Sequence, residues 1–365
     1  MSYSAESPLP SFEYQGLPTR VIFGSGTRSS TADEAERLNM RRALILYGPV
    51  HTDVAAQLRE RLGARAASEF AGATMHTPTS VTEEALTIVE AMKIDGVVAI
   101  GGGSMTGLSK AIALRTDLPQ IILPTTYAGS EMTPILGETS DGLKTTVRSA
   151  KVLPETVIYD VDLTIDLPVK LSGVSGMNAL AHSVEALYAR DRNPVISALA
   201  IESICALARA LPAIRLEASD KVARSDALYG AWLAGICLGS VEMALHHKLC
   251  HTLGGMFNLP HAETHAIILP HVLAYNASAL PAVTQRLNNA LNVTDSARAL
   301  YMLNKASGGP LALSEIGMPE SGINHAADLA IMNPYWNPRP VDRGEVFDLL
   351  KNAYFGKSPN LTRVS

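Results

Sequence analysis

The chain has few of the features that would place it outside the cell, in a membrane or on a nucleic acid. Its 365 residues include three cysteines, Cys205, Cys237 and Cys250, far apart in apolar surroundings and without a CxxC pair. That spacing argues against a disulfide framework and for reduced, buried thiols in a reducing compartment. Long runs of one charge sign are absent, and 30 basic residues stand against 35 acidic ones. Nucleic acid and an anionic membrane surface are therefore not expected partners, and a substrate has to be recognised locally. The segment MSYSAESPLPSFEYQ lacks the basic-then-apolar order of a signal, and no uninterrupted apolar run reaches membrane-spanning length. A soluble, cytoplasmic protein is the expectation. Repeats, low-complexity tracts and long flexible linkers are also missing.

What the chain does have is a hydrophobic content of 47%, enough at this length for two substantial cores. Two domains are expected, with the boundary near Leu167-Pro168. Over residues 1–167, short β-branched runs alternate with amphipathic segments. RVIFG (Arg20 to Gly24), RALILYG (Arg42 to Gly48), GVVAIG (Gly96 to Gly101), QIILPTT (Gln120 to Thr126) and TVIYD (Thr156 to Asp160) read as strands. TDVAAQLRERLG (Thr52 to Gly63) reads as a helix closed by glycine, and Val81 to Asp95 as a helix with Ser80 and Glu83 offering a capping box. This alternation predicts an α/β domain with a mainly parallel sheet, whose ligands bind beyond the carboxyl ends of the strands. Over residues 168–365, alanine- and leucine-rich segments predict an all-α domain, with a cleft between the two. The proline-rich connection Asn333 to Val341 leads into a last helix, GEVFDLLKNAYFG.

Two stretches carry chemistry. In GVVAIGGGSMTGLSK a buried strand runs into Gly101-Gly102-Gly103-Ser104 and then a helix, so the backbone can approach a pyrophosphate at a helix N-terminus. The next strand ends in Pro124-Thr125-Thr126, whose hydroxyls share that sheet edge. Tight strand-to-helix packing is the alternative use of such a glycine turn; two adjacent strand ends with donors favour a dinucleotide. The second stretch, His246 to His271, holds six of the ten histidines. His247 and His251, and again His261 and His265, are four apart, which stacks each pair on one helix face on either side of Pro260. Two short helices meeting at a corner aim several imidazoles into one volume, near the pH at which imidazole titrates, binds metal or polarises a carbonyl.

GGGSMTGLSK, PTTYAGSE, SGMNALAHSVEALYA and HKLCHTLGG with the following LPH, taken together and in order, resemble the iron-containing alcohol dehydrogenase family. PTTYAGSEMT, KTTVRSAKVLPETVIYD and NPYWNPRP are most similar to its maleylacetate reductase branch, which belongs to aromatic-ring degradation. The resemblance implies NADH or NADPH as coenzyme, bound at Gly102, Gly103, Ser104, Thr125 and Thr126, with Lys144 near the ribose. It implies a small dicarboxylate substrate, whose conjugated carbon–carbon double bond receives the hydride. Metal-dependent members use an aspartate and three histidines as ligands, and the matching positions here are Asn178, His182, His247 and His261. With Asn178 in place of the carboxylate only neutral donors remain, so a metal is not expected to be required, although three histidines and water form a chemically feasible zinc site. Gly107 stands where the wider family has aspartate, as is usual in the reductase branch.

The resemblance places His251 near the nicotinamide, as proton donor or oxyanion partner, with His182, His247 and His261 lining the pocket. Tyr127 is a candidate substrate contact, or else a packing aromatic. Lys248 is a candidate counter-charge, or else a solvent-facing lysine. After the strand ending at Tyr47 no acid appears until Asp53, so nothing repels the extra phosphate of NADPH and both coenzymes are candidates. A homodimer is expected. The rivals are a metal-dependent alcohol dehydrogenase, a dehydroquinate-synthase-like lyase and a silent nucleotide-binding protein.

Overall fold

The computed structural model describes residues 11–75, 77–140, 143–332 and 335–359. Asn333 and Pro334 of the proline-rich connection fall outside them. The chain divides into two compact units, one over Leu17–Leu167 and one over Pro168 onward. Residues 11–16 group with the second unit, so the α/β unit does not take in the whole of 1–167.

The first unit runs through β1 (Arg20–Gly24), α1 (Thr31–Arg37), β2 (Ala43–Tyr47), α2 (Thr52–Leu62), β3 (Ala66–Phe70), α3 (Thr79–Ala91), β4 (Gly96–Gly101), α4 (Gly103–Thr116), β5 (Gln120–Pro124), β6 (Ile135–Ser140), β7 (Leu143–Arg148) and β8 (Thr156–Asp160). Six strands form one parallel sheet in the order β1-β8-β5-β4-β2-β3. Its inner strands are near-continuous apolar runs because helices cover both faces, and β4 and β5 are buried along their whole length. The carboxyl ends of β2, β4 and β5 lie side by side, which brings Gly48, Gly101 and Thr125 to one edge.

Three details depart from the sequence expectation. β3, a half-buried edge strand reading AASEF, has no apolar run to announce it. β6 and β7 form a separate antiparallel hairpin. α3 starts at Thr79 behind Pro78, without a side-chain cap, so Ser80 lies inside the helix and the capping box is not formed. The cause is non-local: Thr139 N donates to Thr77 O at 3.2 Å and Pro78 bridges to Thr139, which fixes the entry to the helix from β6.

The second unit is helical: α5 (Val169–Ala186), α6 (Pro194–Leu216), α7 (Lys221–Ser240), α8 (Leu245–Phe257), α9 (His261–Asn276), α10 (Pro281–Leu291), α11 (Ser296–Ala306), α12 (Gly322–Ile331) and α13 (Arg343–Tyr354). Asn193 caps α6 through Ile196 N, with Pro194 in the first turn, and Asp220 caps α7. By length and composition α6 is apolar enough to cross a membrane, but it packs against α5 and α7 as a core helix. A Cβ at Gly176 of α5 would come within 2.4 Å of Leu211 of α6, so glycine is what lets these helices approach. Leu249, Leu253, Ile268, Val272, Ala326 and Leu350 form the core that seats α8 and α9.

Candidate active site

At the edge of the parallel sheet, Gly101 has φ 151°, a conformation in which a Cβ would meet Met105 Cγ at 2.3 Å. Gly102 then caps α4 with no side chain bonded to the helix end, while its carbonyl accepts from Met105 N and Thr106 N. The first N–H groups of α4 have no intrahelical partner, and a Cβ at Gly103 would meet no atom within 4 Å. This is an open cradle of N–H donors at the positive end of a helix, suited to a pyrophosphate. Thr125 N donates to Gly101 O at 3.1 Å, tying β5 to the turn, and Thr126 lies against Gly102. Gly102, Gly103, Ser104, Thr125 and Thr126 are thus brought together as expected.

His51, not foreseen, joins them, with Nε2 3.0 Å from Thr125 Oγ1; burial lowers its proton affinity. Its signal was only its place just after a strand end. Tyr127, the residue after Thr126, is fully buried. The backbone of Lys144 pairs with Thr139 in the hairpin, and its side chain lies outside the described part of the structure. Gly107 packs under Thr77, whose Oγ1 would lie 2.3 Å from a Cβ there.

The imidazoles converge in the helical unit. α8 ends in the left-handed residue Asn258, and α9 begins at His261 directly after Pro260. Ring centroids lie 5.1 Å apart for His182 and His247, 4.9 Å for His247 and His265, 4.3 Å for His261 and His265, and 6.1 Å for His247 and His251. His182 Nδ1 is 3.0 Å from His247 Nε2, and His246 Nε2 is 2.9 Å from His265 Nδ1. His182, His247, His246 and His265 are buried, whereas His251 and His261 are exposed. Burial, with help from the neighbouring imidazoles, holds His246 and His265 well below the usual histidine range, so both are neutral near pH 7. The Cys250 thiol is pushed well up, by burial and then by Glu185, and is unreactive.

One carboxylate enters this group. Glu185 of α5, fully buried, accepts from His247 Nδ1 at 2.5 Å and from the backbone N–H groups of Ala244 and His246 at 3.1 and 2.9 Å. On the exposed side, His251 Nδ1 lies 3.3 Å from Tyr335 Oη, and Lys248 Nζ stands 5.7 Å from the centre of the Tyr335 ring.

Comparison with known proteins now decides the family. The iron-containing alcohol dehydrogenase pattern matches residues 18–161, and the pattern of the family's C-terminal part matches 173–354. The chain belongs to the iron-containing alcohol dehydrogenase family. It is an oxidoreductase. It is 51% identical to the maleylacetate reductase of Rhizobium sp. (strain MTP-10005), over 95% of this chain and 99% of that one. Against the maleylacetate reductase of Burkholderia cepacia the identity is 50%, over 96% and 100% of the two chains. The crystal structure of maleylacetate reductase from Agrobacterium tumefaciens superposes with a TM-score of 0.93 at 49% identity, covering 96% and 100%.

The iron for which the family is named fits this donor set poorly. Asn178 supplies a neutral amide where the family has a carboxylate, and His182 and His247 each spend one ring nitrogen on the other. Among the described residues, the His, Cys, Asp and Glu donors close enough to share an ion are instead His246, Cys250 and His265, all within 4.8 Å. Among the described residues, the buried Asn178 Oδ1 has no hydrogen-bond partner. Neither Glu185 nor the His246–His265 pair was expected as part of the site. An acid in the alanine-rich segment SVEALYA has the pattern of a solvated helix face, and the pairing joins residues 19 positions apart.

Proposed function

We propose that the protein reduces maleylacetate to 3-oxoadipate with NADH or NADPH. Relatives of that name share about half its residues over nearly its whole length. The observation that carries the mechanism is the replacement of the anionic metal ligand by Asn178 in a cluster whose histidines bond to one another. Such a cluster acts by hydrogen bonding and charge; no step here needs a Lewis acid.

Bound coenzyme supplies the hydride. The N-terminus of α4, with Gly102, Gly103 and Ser104, would hold the pyrophosphate, and Thr125 and Thr126 would bond the coenzyme from the adjoining strand end. Hydride addition to a carbon–carbon double bond conjugated to a ketone puts negative charge on the enone oxygen. His251, exposed on α8, donates to that oxygen, and His182, His247 and His261 line the pocket. Lys248 and His251, flanking Tyr335, form a polar rim for the substrate carboxylates. The loop after β2, from Gly48 to Thr52, carries no acid to repel a 2′-phosphate, so both coenzymes are accepted. A homodimer in the cytoplasm is the expected form.

The test uses maleylacetate and NADH deuterated at the transferred position, with the product identified by mass spectrometry and NMR. The proposal expects oxidation of the coenzyme and deuterium on a carbon of the former double bond, with the ketone intact. Deuterium on a carbinol carbon, or no coenzyme consumption, contradicts it.

A further inference from the structure

Glu185 sits on α5, three residues after His182, and receives four donors on two oxygens. Oε2 accepts from Ala244 N at 3.1 Å and His247 Nδ1 at 2.5 Å; Oε1 accepts from His246 N at 2.9 Å and Tyr188 Oη at 3.4 Å. Ala244 is the N-cap residue of α8 and makes no side-chain cap, so a carboxylate from another helix takes up N–H groups that α8 leaves unpaired. Every neighbour in this set is a donor. A carboxylate, which only accepts, matches it; an amide would turn its NH2 onto a donor whichever way it was placed.

This arrangement has a consequence two residues away. A ring nitrogen that faces an acceptor carries the proton, so His247 is protonated on Nδ1. In neutral His247 the lone pair then lies on Nε2, 3.0 Å from His182 Nδ1, which must hold its own proton to donate across that gap. The lone pair of His182 is thereby confined to Nε2. We infer that Glu185 is a positioning residue of the site: it fixes the tautomer of His247 and, through it, that of His182, leaving the acceptor lone pair of His182 on Nε2. The tautomer order follows from the geometry; its value for turnover rests on the reductase reading above.

The experiment is two-bond 15N–1H correlation on histidine-labelled protein without substrate at about pH 8, above the ordinary histidine range, with His182→Asn and His247→Asn for assignment. The expected spectrum has both His182 and His247 protonated on Nδ1. Glu185→Ala is expected to move the proton to Nε2 in both rings. It should also lower kcat on the order of 100-fold while leaving the KM for coenzyme within about twofold. A lone pair on His247 Nδ1 in the unsubstituted protein overturns the inference, and that spectrum needs no variant to fold. Unchanged tautomers in a folded Glu185→Ala protein, which has no acceptor to offer His247 Nδ1, overturn it too, and leave Glu185 a purely structural cap. A protein with the expected spectrum but no activity on maleylacetate keeps the tautomer assignment and defeats only the reductase reading.

Discussion

Lys110 in the α/β unit, which burial pushes down to about 7, and Glu185 in the helical unit are both ionisable groups buried in largely apolar surroundings, yet the networks around them differ. Lys110 Nζ lies 2.5 to 3.0 Å from Ser130 O, Thr133 O, Thr133 Oγ1 and Ile135 O, which share its N–H donors, and so ties α4 to the start of β6. Its hydrogen-bonding capacity is used within the fold. Around Glu185 the carboxylate is equally well satisfied, but among the described residues three neighbouring atoms, Asn178 Oδ1, His246 Nδ1 and His265 Nε2, are buried without partners, against the single Ser130 Oγ beside Lys110. Such atoms destabilise the folded chain, and a protein keeps them where they serve something besides folding. The first network is structural; the second belongs to the proposed site.

The contrast is sharpest under substitution. Lys110→Met takes away the donor on which Thr133 O and Ile135 O depend and is expected to lower stability by about 4 kcal/mol, read as a shifted urea midpoint; a loss under about 1 kcal/mol would remove the distinction. Acid should strike the helical unit next. Burial pushes His271 down to about 4. In the unfolded chain it titrates near ~6.5, so between about pH 6.5 and 4 only the unfolded state takes up the proton. Stability therefore falls as pH drops through that window, by about 3 kcal/mol from this residue, with no further loss from it at lower pH. Urea midpoints across the window, compared with those of His271→Gln, should show the flatter profile in the variant.

His251→Ala, on the exposed side of the cluster, is expected to lower turnover on the order of 100-fold, about 2.7 kcal/mol of barrier, with stability unchanged. Unaltered turnover would take the proton-donor role away from His251. The smallest effect is the most diagnostic of an unpartnered atom: Asn178→Leu should raise stability by about 1 kcal/mol while turnover falls. Destabilisation instead would mean that Asn178 Oδ1 is used by the fold.

Much of this was legible in the sequence, for reasons that are themselves local. β1, β4 and β8 appear where apolar runs end in glycine or aspartate, and the corner between α8 and α9 appears where Pro260 interrupts two histidine pairs spaced by one helical turn. The glycine turn and Thr125-Thr126 were readable because consecutive strand ends share a sheet edge. What escaped depends on partners distant in the chain. The start of α3 is set by Thr139, the hairpin of β6 and β7 by their pairing, and the role of Glu185 by a helix that begins 60 residues later at Leu245.

The central claim, that these histidines work on charge directly and without an ion, is tested most directly by stripping the protein with a strong chelator and assaying NADH oxidation with maleylacetate. The account predicts turnover equal to that of untreated protein and unmoved by added Fe²⁺ or Zn²⁺. Activity that disappears on stripping and returns with either ion would contradict it.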